Sequence, residues 1–324
     1  MAFANVDMAT FSKPNDTKDM TIEARFKWFE DALDARLPDR SRAWFVKARG
    51  ELGQGVDANR FCALFSMASR YARAIAVDFT AEELNAASRL VGGWCPEGWN
   101  LRMLLRGSLV LSLPNLNDDE GAAMIEEAFR YADEGEACAL YASLCLLPEP
   151  GRFVVRSAEG CRTNMVSVFE ANVCGTPFPA AEFDDVAWNQ CVIKCIFIGS
   201  PLWRVANLDN RLSSEIARIA LDLVDERRSA GRAIQPDLWL CLGEHGGDRG
   251  LDAMLVELED GAPIGRAAAG YALARAKQAN LLEERSVTEQ NERVIHHFNR
   301  ALSGICDQSS FGELEFSEAT DGEV

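Results

Sequence analysis

The run Leu251-Asp252-Ala253-Met254-Leu255-Val256-Glu257-Leu258-Glu259-Asp260-Gly261-Ala262-Pro263-Ile264-Gly265-Arg266-Ala267-Ala268-Ala269-Gly270-Tyr271-Ala272-Leu273-Ala274-Arg275-Ala276 indicates the fold class. Leu251, Met254, Leu255 and Leu258 recur at the spacing of one helix face. Gly261-Ala262-Pro263 then breaks the pattern as a tight turn. A second helical stripe follows in Ala267, Ala268, Tyr271, Ala272 and Ala276. Its residues are small, so two helices can approach closely. The unit reads as a helical hairpin of the kind that stacks into an α-solenoid.

Working outward, prolines and glycines cut the rest of the chain into pieces of helix length. Toward the N-terminus these are Ile22 to Leu37, Arg42 to Leu52, Asn59 to Val77, a helix opened by the capping pair Thr80 and Glu83, Trp99 to Leu111, Asn117 to Ala132 and Glu136 to Leu146. Phe153 to Val173, Val186 to Ile198, Arg211 to Ala230 and Pro236 to Cys241 lead up to the hairpin. Leu282 to Ile305 follows it. Strict alternation is rare, so strands are not expected. The reading is an all-α protein of stacked helical hairpins, a HEAT/TPR-like array over residues 20–306. Residues 1–19 and the acidic stretch 307–324 lack a core stripe and read as disordered tails.

The 324-residue chain carries a net charge of −17. Such a body repels phosphate backbones, so nucleic acid is not an expected partner. No apolar run reaches the roughly 18 residues of a membrane span, and the N-terminus lacks the basic and apolar parts of a signal peptide. A cytoplasmic location is expected, with no direct membrane insertion. The ten cysteines show no C-x-x-C spacing. Cys191 and Cys195 lie four apart in an apolar run and read as core packing rather than a metal pair.

Motifs of catalysis are missing from the sequence. Neither a phosphate-binding glycine loop nor a G-x-S-x-G elbow occurs, and His245, His296 and His297 do not form H-E-x-x-H. Asn117-Asp118-Asp119-Glu120 suits a helix start better than a magnesium site, and Asp184-Asp185 has no matching second motif. Neither metal nor cofactor is expected.

The centre of the chain mixes polar groups into apolar helices. Trp188 to Ile198 is apolar at eight of eleven positions, enough to surround a helix, yet it carries Asn189, Gln190 and Lys194. A buried ammonium needs a partner. Glu170, within Met165 to Ala171, is the expected one, with Arg162 and Asn164 nearby in sequence. The stripe Leu212, Ile216, Ile219 and Leu223 continues to Glu226, beside Arg227, which places Glu226 at the buried end of an apolar face. Three roles stay open for this set: fixing helix register, binding a small molecule, or acid–base catalysis.

The same region carries a longer pattern. It runs Glu159-Gly160-Cys161-Arg162-Thr163-Asn164, Val168-Phe169-Glu170-Ala171, Pro177-Phe178-Pro179-Ala180, Phe183, Trp188-Asn189-Gln190, Val192, Lys194, Phe197, Gly199 and Pro201. It continues through Leu208-Asp209-Asn210-Arg211, Glu226-Arg227-Arg228-Ser229-Ala230-Gly231-Arg232, Pro236 and Trp239. Over roughly residues 150–240 this resembles the EboA family. The family's turn is commonly Asn-Pro-Tyr-Pro-like where this chain has Gly175-Thr176-Pro177-Phe178-Pro179. That departure leaves Glu170, Asn189, Lys194 and Glu226 untouched.

What the resemblance implies is a context. The family is encoded in bacterial gene clusters beside a UbiA-type membrane prenyltransferase, a TatD-like hydrolase, a sugar-phosphate cyclase and an isomerase-like barrel, and such clusters serve secondary metabolism. The implied role is a non-catalytic binding or scaffold protein of such a pathway. Its partners would be other Ebo-pathway proteins or a small-molecule intermediate. An association with the membrane prenyltransferase stays open. The expected groove is lined by Arg162, Asn164, Glu170, Asn189, Lys194, Asp209, Arg211, Glu226, Arg227 and Arg232. The alternative is an enzyme of the same pathway that uses Glu170 or Glu226 as general base on a small anionic or prenylated substrate.

Overall fold

The computed structural model describes residues 21–314, and all statements about structure concern these. Within them the chain is helical. The only β pairing is an isolated antiparallel bridge between Ala76 and Asn100. Contacts divide the chain into two compact units that meet in sequence at Asp184 and Asp185.

The first unit holds α1 (Ile22–Asp34), α2 (Asp39–Gly53), α3 (Ala58–Met67), α4 (Ala81–Leu90), α5 (Leu101–Val110), α6 (Asp119–Tyr131), α7 (Glu134–Ser143), α8 (Val154–Gly160), α9 (Val166–Val173) and α10 (Phe178–Glu182). Side-chain caps start many of them. Thr80 and Glu83 form the expected capping box, and Asp133 with Glu136 forms a second. The cap of α6 is Asp118, whose carboxylate accepts the Gly121 N–H, one residue later than the expected Asn117. α1 packs on α4 and α5, α5 on α7, and α7 on α9. Trp28, Phe29, Trp94 and Trp99 pack ring against ring at the centre of this stack. Arg106 is 1% exposed, pairs with Glu136 at 3.2 Å and donates to the Phe65 carbonyl. This ion pair stitches α5, α7 and the end of α3 together.

The second unit holds α11 (Asp185–Ile198), α12 (Ser214–Ser229), α13 (Gly247–Asp260), α14 (Pro263–Arg275), α15 (Ala279–Ser286) and α16 (Glu292–Leu302). The α13–α14 hairpin forms as read, with Pro263 in the first turn of α14. Its faces differ in detail. α13 buries Gly250, Ala253, Met254, Glu257 and Leu258, and Leu255 is exposed. α14 buries an unbroken run from Ala267 to Leu273, because α13, α15 and α16 all pack on it.

Other boundaries shift for local reasons. The expected helix Phe153 to Val173 is broken at residues 161–165, where the Thr163 hydroxyl accepts the Met165 N–H. Leu282 to Ile305 is two helices, because Asn291 accepts the N–H groups of Arg293 and Val294 and restarts the chain. Asn59 to Val77 ends as a helix at Met67. Its last residues instead meet the segment before α5, with Val77 N–H on the Trp99 carbonyl. Packed structure also extends past residue 306. Gln308–Glu313 forms a 3₁₀ turn that buries Phe311. Residues 1–20 and 315–324, which contain the expected N-terminal tail and the rest of the acidic one, lie outside the described residues.

Candidate functional site

In the first unit, the start of the pattern that runs from Glu159 folds into the α8–α9 corner. Gly160 sits against the Tyr141 ring, and a Cβ there would lie 2.6 Å from a ring carbon, so only glycine permits this approach. Beneath the corner, the Asn172 carboxamide accepts from the Ser157 hydroxyl at 2.8 Å. It donates to the Ser157 carbonyl at 2.8 Å and to the Cys161 sulfur at 3.2 Å. Asn172 is 1% exposed, so this network is an internal brace between α8 and α9. Asn172 was not singled out from sequence, although an amide inside the apolar run Val166–Val173 is itself a signal. Arg162 and Asn164 lie on the exposed corner, and Glu170 is half-buried on α9.

In the second unit, α11 buries Trp188, Cys191, Val192, Cys195 and Ile196. The expectation that this helix is buried all round is corrected, since Val186 is 66% and Phe197 68% exposed. Burial of Cys191 and Cys195 agrees with core packing. Asn189 and Lys194 are half-buried and flank the buried stripe from opposite sides. Five residues of helix turn them about 140° apart. Glu170 belongs to the first unit and Lys194 to the second.

The loop between α11 and α12 carries the next polar set. Arg211 pairs with Asp185 at 2.9 Å, and its guanidinium lies over the Trp188 ring, 4.8 Å from the centroid. The Trp188 indole donates to the Arg211 carbonyl, so α11 and the loop hold each other. Asp184-Asp185 therefore resolves into a helix start whose second carboxylate holds an arginine. Asp209 pairs with Arg275 of α14, and Arg275 also donates to the Cys306 carbonyl.

Glu226 requires a correction. The buried face of α12 is Ile216, Ala217, Ala220, Leu221 and Val224, rotated from the expected stripe. Glu226 falls outside it, is exposed, and pairs with Arg232 at 3.0 Å. Arg227 donates to the Ala233 carbonyl. These three residues fasten the helix end to the turn after it. Arg228 instead points to α13, donating to the Ala253 carbonyl and pairing with Glu257. Burial holds the Glu257 carboxyl above its ordinary range, and Arg228 opposes that shift.

A group that sequence reading missed is Asp237. Its carboxylate accepts the Leu202 N–H at 2.7 Å and anchors the 3₁₀ turn Leu202–Arg204. Burial pushes it up to about 6, against the pull of the Leu202 and Trp203 N–H groups. Burial also raises the neighbouring Cys241 thiol, with the Asp237 charge adding to the effect. Gln308 also holds this turn, donating to the Trp203 and Val205 carbonyls at 2.7 Å each. Nothing in the spacing of Asp237 marks it in sequence, because its partners are backbone groups 34 and 35 residues away.

Among the described residues, no group of three or more His, Cys, Asp and Glu side chains could hold a metal ion. No helix there is long and apolar enough to cross a membrane.

The profile of the family described as metabolite traffic protein EboA matches residues 26–243. The chain belongs to the EboA family. The match takes in nearly all of the first unit as well as the central pattern, so membership extends much further toward the N-terminus than residues 150–240. Helices α13 to α16 and the turn at Gln308–Glu313 follow the matched region. They hold it through Arg275 on Asp209 and Gln308 on the Trp203 and Val205 carbonyls. No curated protein and no solved structure matches the chain.

Proposed function

We propose that this member of the EboA family is a non-catalytic, cytoplasmic binding or scaffold protein of an Ebo-type secondary-metabolite pathway. It would engage a small-molecule intermediate or another pathway protein, a membrane prenyltransferase among the partners, without inserting into the membrane itself. The description of the family as metabolite traffic proteins supports a role in handling metabolites. The observation that carries the non-catalytic reading is how ionisable groups are used. Asp237, Glu257 and His297, each shifted by burial, are engaged by backbone N–H groups, by Arg228 and by the Tyr271 hydroxyl respectively. Those partners hold helices and turns in place. Glu226, offered as a general base, is exposed and paired, so it lacks the dry surroundings that tune a carboxylate for proton transfer.

Binding is assigned to two surfaces. In the first unit it is the exposed α8–α9 corner with Arg162, Asn164 and Glu170. In the second it is α11 and the loop after it, with Asn189, Lys194, Asp209 and Arg211, extended by Glu226, Arg227 and Arg232. The α13–α14 hairpin and the sequential packing of α11 on α12 and α12 on α13 support reading these helices as HEAT/TPR-like stacked hairpins.

The test is native mass spectrometry of the full chain purified from its own host with its gene neighbours expressed. The expected result is a co-purifying small molecule or pathway protein whose retention weakens in Lys194→Met or Arg162→Met while the helical signal stays unchanged. Turnover of a pathway intermediate that disappears in Glu170→Gln would overturn the non-catalytic reading.

A further inference from the structure

A groove lies in the first unit, away from the polar residues considered so far. It encloses about 340 Å³ and is lined by Gly55, Val56 and Asp57 before α3, Leu113, Pro114 and Asn115 before α6, and Glu120, Gly121 and Met124 of α6. That volume suits a small organic molecule. Gly121 keeps the groove's wall thin, since a Cβ there would meet the Asn115 carbonyl at 1.9 Å.

The chemistry of the lining is one-sided. Val56, Leu113, Pro114 and Met124 give it an apolar wall. The polar groups are Asp57, Glu120 and Asn115, and no Lys, Arg or His takes part. Two helices start at this groove, and helix starts ordinarily offer N–H donors to anions. At each of these two starts a carboxylate already takes one of those donors. The Arg60 N–H goes to the Asp57 carboxylate at 2.8 Å, and the Gly121 N–H to Asp118 at 3.0 Å. The Asn115 amide donates to Glu120. Of the guanidiniums bonded next to the lining, Arg60 is held by both oxygens of Glu51. Arg152 is turned to the Leu116, Asp118 and Pro148 carbonyls and is not part of the lining. The ionisable side chains of the lining are the Asp57 and Glu120 carboxylates, which accept hydrogen bonds and favour positive charge.

We propose that this groove binds a small molecule carrying a protonated amine on a short apolar body. The ammonium would be held by Asp57 and Glu120, and the apolar part would cover Met124 and Leu113. The inference stands independently of the α8–α9 and α11 surfaces.

The test uses the full chain labelled at its methionine methyl groups, with the Met124 resonance assigned through Met124→Leu. Hexylammonium is titrated and compared with hexanol and hexanoate. The expected result is a saturable Met124 shift with hexylammonium and binding at least about tenfold weaker for the other two, the size expected for two exposed carboxylates acting together. Asp57→Asn keeps a good N-cap and Glu120→Gln keeps the side-chain length, so the double variant should fold and lose that preference. Absence of a saturable Met124 shift, equal binding of hexanol and hexylammonium, or an unchanged preference in the double variant overturns the proposal.

Discussion

Helices α11 and α14 are both rich in apolar residues, yet they end in different surroundings. In α11, eight of the eleven residues from Trp188 to Ile198 are apolar and mostly large. It buries one stripe and leaves Val186 and Phe197 in solvent. α14 has a run of alanines and glycines and is buried on every side from Ala267 to Leu273. Between these two helices, apolar content does not predict enclosure, since the one with the smaller residues gathers the more neighbours. A helix of small residues admits partners to its backbone on several sides. α11, with its larger residues, interlocks along one face.

Gly270 is the point at which this comparison is easiest to break. A Cβ there would lie 2.5 Å from the Phe298 ring, which is fully buried. Gly270→Ala is expected to lower stability by about 1–3 kcal/mol despite alanine's better helix propensity, measured by urea unfolding. An unchanged midpoint would mean that close approach does not control the packing around α14.

The next effect depends on pH. His297 of α16 lies against α14, with its Nδ1 2.9 Å from the Tyr271 hydroxyl, and burial lowers its pKa from 6.5 to about 4. Between those values an unfolded chain binds a proton that the folded one refuses. Stability therefore falls as pH drops from 6.5 toward about 4 because of this residue. Comparing the native chain with His297→Gln across that range should show a shallower loss in the variant. Parallel curves would remove His297 from the account. Tyr271→Phe takes the hydroxyl from the same contact and should cost about 1 kcal/mol.

The smallest change belongs to α11. Phe197→Ser, at a residue 68% exposed, is expected to alter stability by no more than about 0.5 kcal/mol. A loss as large as that of Gly270→Ala would show that α11 is covered in solution and reverse the contrast between the two helices.

The candidate residues were legible to different degrees for the same kind of reason. Thr80 and Glu83 could be read as a cap because their partners lie within one turn of chain. Asp185 and Arg211 were both visible as residues, but their pairing across Trp188 was not, since it joins a helix start to a loop 26 residues later. Glu226 was misplaced because the α12 stripe was extended from Leu212, which lies before the helix, and this rotated the assumed face. Asn172 and Asp237 passed unnoticed because buried polar groups that serve as braces look like ordinary surface residues until their partners are known.

The sequence by itself determined the helical class, the hairpin around Gly261-Ala262-Pro263, several caps and membership of the EboA family. Each of these depends on short-range periodicity or on an order of residues along the chain. Only the tertiary structure decided which face of each helix is buried, that α14 is enclosed and α11 is not, and that packed structure continues to Leu314. Those outcomes depend on which helices meet and how near their axes come. That is set by the volumes of side chains distant in sequence.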